Sequence, residues 1–187
     1  MTLKRIAIVG NSVSGKSYLA ESLAAIYSVP VIHLDQIFWM PGGFNEQRPK
    51  GEVKIEIERK QKENSWIVEG VFGELAESFL PRAECLIFLD LDWPTCRLGL
   101  AARGSESSQQ LVTATAEDNF RKLLLWAEQY WTRADLRSRS GHFQLFSDFS
   151  GLKFKFISHV EVDEFPSSNE KADPESRADF LPVVQNF

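Results

Sequence analysis

Residues Leu3 to Val9 form a short apolar run, LKRIAIV, that leads straight into the octapeptide Gly10-Asn11-Ser12-Val13-Ser14-Gly15-Lys16-Ser17. The octapeptide fits G-x-x-x-x-G-K-[ST], and YLAESLAAIY after it has helical composition and spacing. No other stretch narrows the possible folds so far. By average residue usage, chance would give the match in about one random chain of this length in a hundred. Strand, glycine loop and helix are the setting in which successive backbone N–H groups turn inward. The helix N-terminus adds partial positive charge, so such a loop cradles a polyphosphate. A surface turn matching by accident would leave the flanking strand and helix unexplained. The loop is therefore expected to wrap the phosphates of ATP with Gly10, Asn11, Ser12, Val13, Ser14, Gly15, Lys16, Ser17 and Tyr18. Lys16 would reach the β- and γ-phosphates, and the Ser17 hydroxyl would ligate Mg²⁺.

The rest of the chain alternates strands with helices. Strands are expected at Pro30–Leu34, Trp66–Glu69, Cys85–Leu89 and Lys153–Ser158, from short apolar runs stopped by turn residues or charges. Residues 41–50 (PGGFNEQRPK) read as a loop. Residues 51–64 mix strand-like alternation with a Glu/Lys density and length that favour a helix. A brief helix is expected at Glu74–Leu80. Asp92-Trp93-Pro94 looks like a cap with proline in the first turn, opening a helix that runs to Arg103. Glu117–Trp131 is a strong helix, and Val160–Phe165 a short one. Such alternation implies an α/β fold: an open parallel sheet of about five strands with helices on both faces. Residues 1–165 would form this domain, with the small polar stretch 103–116 as a lid, and 166–187 a flexible tail.

Composition adds exclusions. A net charge of −5 over 187 residues argues against a broad nucleic-acid surface. No run approaches the length of a membrane span, and the N-terminal apolar stretch is too short for a signal peptide, so a cytoplasmic protein is expected. Cys85 and Cys96 show neither metal spacing nor a disulfide framework. Nothing in the sequence indicates an oligomeric state.

Ligands of open parallel sheets sit beyond the carboxyl ends of the strands. That rule lines up the loop, Asp35, Glu69-Gly70 and Asp90 along one rim. Asp35, ending the second strand, can accept a hydroxyl proton or orient an acceptor; it can equally cap the segment after the strand. Glu69, ending the third, can hold Mg²⁺ or act as the base, and Gly70 would let a substrate approach closely. Asp90 competes with Glu69 for the metal, although a third strand beside the loop strand favours Glu69. Trp39 would stack over the acceptor pocket or pack beneath its loop. Arg97 and Arg103, on the helix leading into the lid, can face the charge that spreads over a transferring phosphoryl group. Arg121 can do so too, or be a solvated helix charge. His33 reads as a core histidine, and Arg133 and Arg137-Ser138-Arg139 as plain surface.

GNSVSGKS, PVIHLDQIFWMPGG, SWIVEGVF and AECLIFLDLDWPTC with Arg97, in that order, resemble the adenylate-kinase-like P-loop proteins of bacteria, a group often described as topology modulation proteins or nucleotide kinases. The resemblance spans about residues 3–103, with an echo in FISHVEVDEF. It implies a three-layer P-loop NTPase fold with a small lid, and an ATP-dependent phosphotransferase. In that family Lys16 and Ser17 serve ATP and Mg²⁺, the Asp35 and Trp39 region lines the acceptor site, and Glu69-Gly70 marks the third-strand junction. Tyr18 stands where the family usually has a second hydroxyl residue, and segment 104–116 carries no arginine. The leading expectation is transfer of the γ-phosphate of ATP to a nucleotide, nucleoside or other small hydroxyl acceptor. The alternative, drawn from the arginine-poor lid, is an ATP-binding regulatory protein with little phosphotransfer.

Overall fold

The computed structural model describes residues 3–41, 46–104 and 113–171. Five parallel strands form one sheet in the order β2-β3-β1-β4-β5: β1 Arg5–Gly10, β2 Val31–His33, β3 Trp66–Gly70, β4 Cys85–Leu89 and β5 Leu152–Phe156. The loop strand β1 is thus central, flanked by β3 and β4, as the sequence argument for Glu69 required. Pairing runs Ile8 to Glu69, His33 to Glu69, and Gly10 to Leu89.

Alternation in the strands divides the core into two layers. Ala7, Val9, Val68, Leu86 and Phe88 point to one face, where they pack with Leu34, Phe38, Val53, Phe72 and Phe79. Ile6, Ile8, Ile67, Cys85, Ile87 and Leu89 point to the other, against Leu19, Leu23, Cys96 and Val162. The covering helices are α1 Lys16–Tyr27, α2 Leu34–Phe38, α3 Lys50–Lys60, α4 Gly73–Glu77, α5 Trp93–Arg103, α6 Thr113–Glu128, α7 Arg139–Asp148 and α8 His159–Lys171. Strands β1, β3 and β4 are apolar on both faces because both are covered. Cys85 and Cys96 are free and buried. No helix among the described residues is long and apolar enough to cross a membrane.

Several boundaries differ from the sequence-based expectation. β2 stops at His33, and Asp35 lies in the first turn of α2 rather than at a strand end. Residues 51–64 resolve as helix, beginning at Lys50 and ending at Lys60. Asp92 caps α5 by accepting from the Thr95 N–H at 2.9 Å, as its position before Trp93-Pro94 suggested. α7 was not anticipated. α8 runs on through Pro166 to Lys171, past the point where a tail was expected. Most of the expected lid, residues 105–112, and of the tail, 172–187, lie outside the described residues.

Candidate active site

The glycine loop turns between β1 and α1 on backbone that favours glycine at two points. Gly15 has φ +95° at the cap of α1. Gly10, at φ +158°, is required by crowding: a Cβ there would lie 2.7 Å from the Leu89 carbonyl oxygen and 2.9 Å from the Ser14 hydroxyl. Lys16 is almost fully buried, at 8 % exposed, and donates to the Asn11 carbonyl at 2.7 Å. The Asn11 side chain leaves the loop: its amide donates to the Ala127 carbonyl of α6 at 3.0 Å, while its oxygen accepts from the Ser12 N–H at 2.8 Å. Ser12 and Tyr18 complete the run, Tyr18 half-exposed on α1.

Across from the loop, the Glu69 carboxylate gathers the rim. Its Oε1 accepts from the Ser17 hydroxyl at 3.1 Å and pairs with His33 Nδ1 at 2.7 Å. The pairing register explains this: His33 and Glu69 are direct partners on parallel strands and share the face that carries α1. Glu69 is only 3 % exposed. Burial pushes its carboxyl up, but the His33 hydrogen bond and the Lys16 charge outweigh burial and hold it below its ordinary value. His33 is raised in return, chiefly by that same hydrogen bond. The expectation of a plain core histidine is therefore corrected, since His33 belongs to the rim. Asp35 behaves oppositely: burial pushes its carboxyl up to about 6, against the lowering influence of Lys16.

The arrangement fits a nucleotide and a divalent cation. Ser14 Oγ is buried without a hydrogen-bond partner inside the loop, whose end also carries the buried Lys16 and the Ser17 hydroxyl bonded to the Glu69 carboxylate. Mg²⁺ takes such sparse oxygen sets, its remaining positions going to water and phosphate. Asp90 is differently engaged. Its carboxylate receives Arg139 bidentately, at 2.6 and 2.8 Å, so both oxygens are occupied.

That pair also corrects the view of the 133–139 segment as plain surface. Arg137 donates to Glu74 at 2.6 Å and lies 4.6 and 4.7 Å from the Phe38 and Phe72 ring centres. Arg133 sits 4.0 Å from the Trp126 ring centre. Trp39 packs edge-on to Phe38 at 4.8 Å. Gly70 is filled by packing, since a Cβ there would lie 2.7 Å from Leu34 Cβ of α2. Arg97 is exposed on α5, and Arg103 is that helix's last residue. Beneath the rim, fully buried His142 ties three elements together. It pairs with the Tyr130 hydroxyl at 2.7 Å and the Val71 carbonyl at 3.1 Å.

No family model matches the sequence, and no curated protein matches it. Solved structures do match. A shikimate kinase from Bacteroides thetaiotaomicron, 14 % identical, aligns over 90 % of this chain and 96 % of its own, with a TM-score of 0.53. A shikimate kinase from Acinetobacter baumannii in complex with shikimate, 13 % identical, aligns over 90 % and 91 %, with a TM-score of 0.51. The fold is that of the P-loop kinases. A gluconokinase from Sinorhizobium meliloti 1021 is also similar, at 15 % identity, 89 % of each chain and a TM-score of 0.47. Within a P-loop kinase fold, the features that sequence reasoning missed are the His33–Glu69 and Asp90–Arg139 pairs. Their partners lie 36 and 49 residues apart, and only the parallel register of β2 with β3 could have hinted at the first.

Proposed function

We propose that this chain is an ATP- and Mg²⁺-dependent phosphotransferase that moves the γ-phosphate of ATP to a small hydroxyl-bearing acceptor. The observation that carries this is one carboxylate, Glu69, joined at once to the loop hydroxyl of Ser17 and to His33 beside Asp35. The two carboxylates divide the work. Glu69, held ionised by His33 and Lys16, suits the cation together with Ser17; the bound ion would neutralise charge on the phosphate oxygens. Asp35, whose carboxyl is raised to about 6, is poised near neutral pH to take the acceptor's hydroxyl proton. As the acceptor oxygen bonds to the γ-phosphorus, the bond to the β,γ-bridging oxygen breaks, leaving ADP and a phosphorylated product. Lys16 follows the charge at the β- and γ-phosphates, and Arg97 and Arg103 are the candidate cations on the transferring group. Trp39 flanks the acceptor.

The arginines between β2 and β4 favour a neutral hydroxyl compound over a nucleoside monophosphate. Arg48 donates to the Ile37 carbonyl at 3.1 Å. Arg59 pairs with Glu56 at 3.0 Å, and Arg82 with the Gln61 carbonyl. Arg59 and Arg82 belong to segments that feed the amino ends of β3 and β4, opposite the rim, so neither serves an acceptor phosphate there. The adenylate-kinase-like group remains our family reading. The test is Mg²⁺-dependent ADP release across nucleosides, nucleoside monophosphates and small polyols or hydroxy acids. Stimulation by a hydroxyl compound is expected. Tight ATP binding with no stimulation by any class would favour the regulatory alternative.

A further inference from the structure

Val13 is a β-branched residue at φ +57°, in the left-handed region where such residues are genuine outliers. It occupies an x position of the loop motif, so the motif itself asks nothing of it. Strain of this kind persists only where its surroundings over-determine it, and the surroundings here are α5. A Cβ built on Gly99, in the middle of that helix, would lie 2.4 Å from Val13 Cγ1 and 3.5 Å from Val13 Cβ. The two residues are complementary: the branched side chain fills the notch that the helix leaves open. Glycine inside a helix is destabilising relative to alanine, and the loop-facing notch supplies a reason for it. Another x position of the loop is fastened as well, since Asn11 donates to the Ala127 carbonyl of α6. The crown of the loop is thus gripped from α5 and from α6, through side chains that the phosphate-binding pattern leaves free.

We propose that Val13 is a positioning residue: seated in the Gly99 notch, it holds the crown of the phosphate loop in the conformation that receives polyphosphate and fastens that loop to α5. The inference rests on the reading of the loop as a nucleotide site and adds a residue to it. It makes a reciprocal prediction. Gly99→Ala introduces a methyl that collides with Cγ1 and displaces the loop crown. Val13→Ala removes Cγ1 and loosens it. In the double variant the methyl introduced on the helix meets the β-carbon retained on the loop, at the ordinary contact distance of 3.5 Å. The fastening is then restored from the helix side.

The experiment titrates a fluorescent ATP analogue with Mg²⁺ into the full-length wild type, both single variants and the double, with circular dichroism to confirm folding. Gly99→Ala should weaken binding at least about tenfold and Val13→Ala about threefold or more, while the double returns to within about threefold of wild type. Unchanged affinity in Val13→Ala would overturn the inference even if Gly99→Ala failed to fold, as would a double variant no better than the singles. Absence of binding by the wild type would instead overturn the nucleotide reading on which the inference rests.

Discussion

Replacing Asp35 by asparagine should abolish transfer and make the protein more stable at neutral pH. Burial, moderated by Lys16 and reinforced by Glu69, raises the folded-state carboxyl from its ordinary 3.8 to about 6. A raised carboxyl favours folding fully below its unfolded pKa, and that contribution is lost as pH rises through the folded one. A gap of about 2 units at 1.36 kcal/mol each sets the loss at about 3 kcal/mol by pH 7.5, falling below about 1 kcal/mol at pH 4. The asparagine side chain carries no charge and escapes the loss, though its amide is buried in turn, so a net gain of about 1–3 kcal/mol is expected at pH 7.5. For a domain of this size that is about 3–10 °C in the unfolding midpoint. Thermal unfolding of wild type and Asp35→Asn at pH 7.5 and pH 4, paired with ADP release, makes the comparison. A variant less stable than wild type at pH 7.5, or a difference equal at both pH values, would refute the account of Asp35.

Other consequences are open to simpler checks. Lys16→Ala should lower ATP turnover by about 10²-fold or more if, as proposed, the buried ammonium is the charge that meets the phosphates; steady-state kinetics would show it. In NMR titrations His33 should titrate above its ordinary value, and Glu69→Gln should bring it back down because the acceptor that holds its proton loses its negative charge. The same variant should lose most Mg²⁺-dependent activity. His142→Leu should cost about 1–3 kcal/mol in urea unfolding, because the buried Tyr130 hydroxyl loses its partner while the Val71 carbonyl keeps the Gly73 N–H. Burial pushes His142 down to about 3, so its contribution is intact above about pH 6.5 and drains away as pH falls toward 3. The leucine variant should lose that acid sensitivity.

The sheet was legible because β1, β3 and β4 are buried on both faces and so read as unbroken apolar runs, and the glycine loop fixed which strand lies at the centre. Helix α2 was not legible. It starts at Leu34, directly after β2, so VIHLDQIF carries no break between strand and helix. Helix α7 hid behind RSRSGHFQLFSD, whose opening charges look like solvated surface. Those charges are consumed by Asp90 and Glu74, acids on other elements far off in sequence. His33 was misread for the same reason, since a histidine in an apolar strand becomes a rim residue only when Glu69 is registered beside it. Gly70 was anticipated as room for substrate, whereas its open side faces Leu34. Local pattern reveals which residues are buried, and long-range pairing decides what the polar ones do.

In the proposed reaction the Glu69 junction couples an ATP loop to a hydroxyl acceptor. The most direct test is Mg²⁺-dependent ADP release by wild type and Lys16→Ala across a panel of hydroxyl compounds, nucleosides and nucleoside monophosphates. Strong stimulation by one hydroxyl compound, lost in the variant, is the expected result. Turnover surviving in Lys16→Ala, or tight ATP binding that no acceptor stimulates, would contradict it.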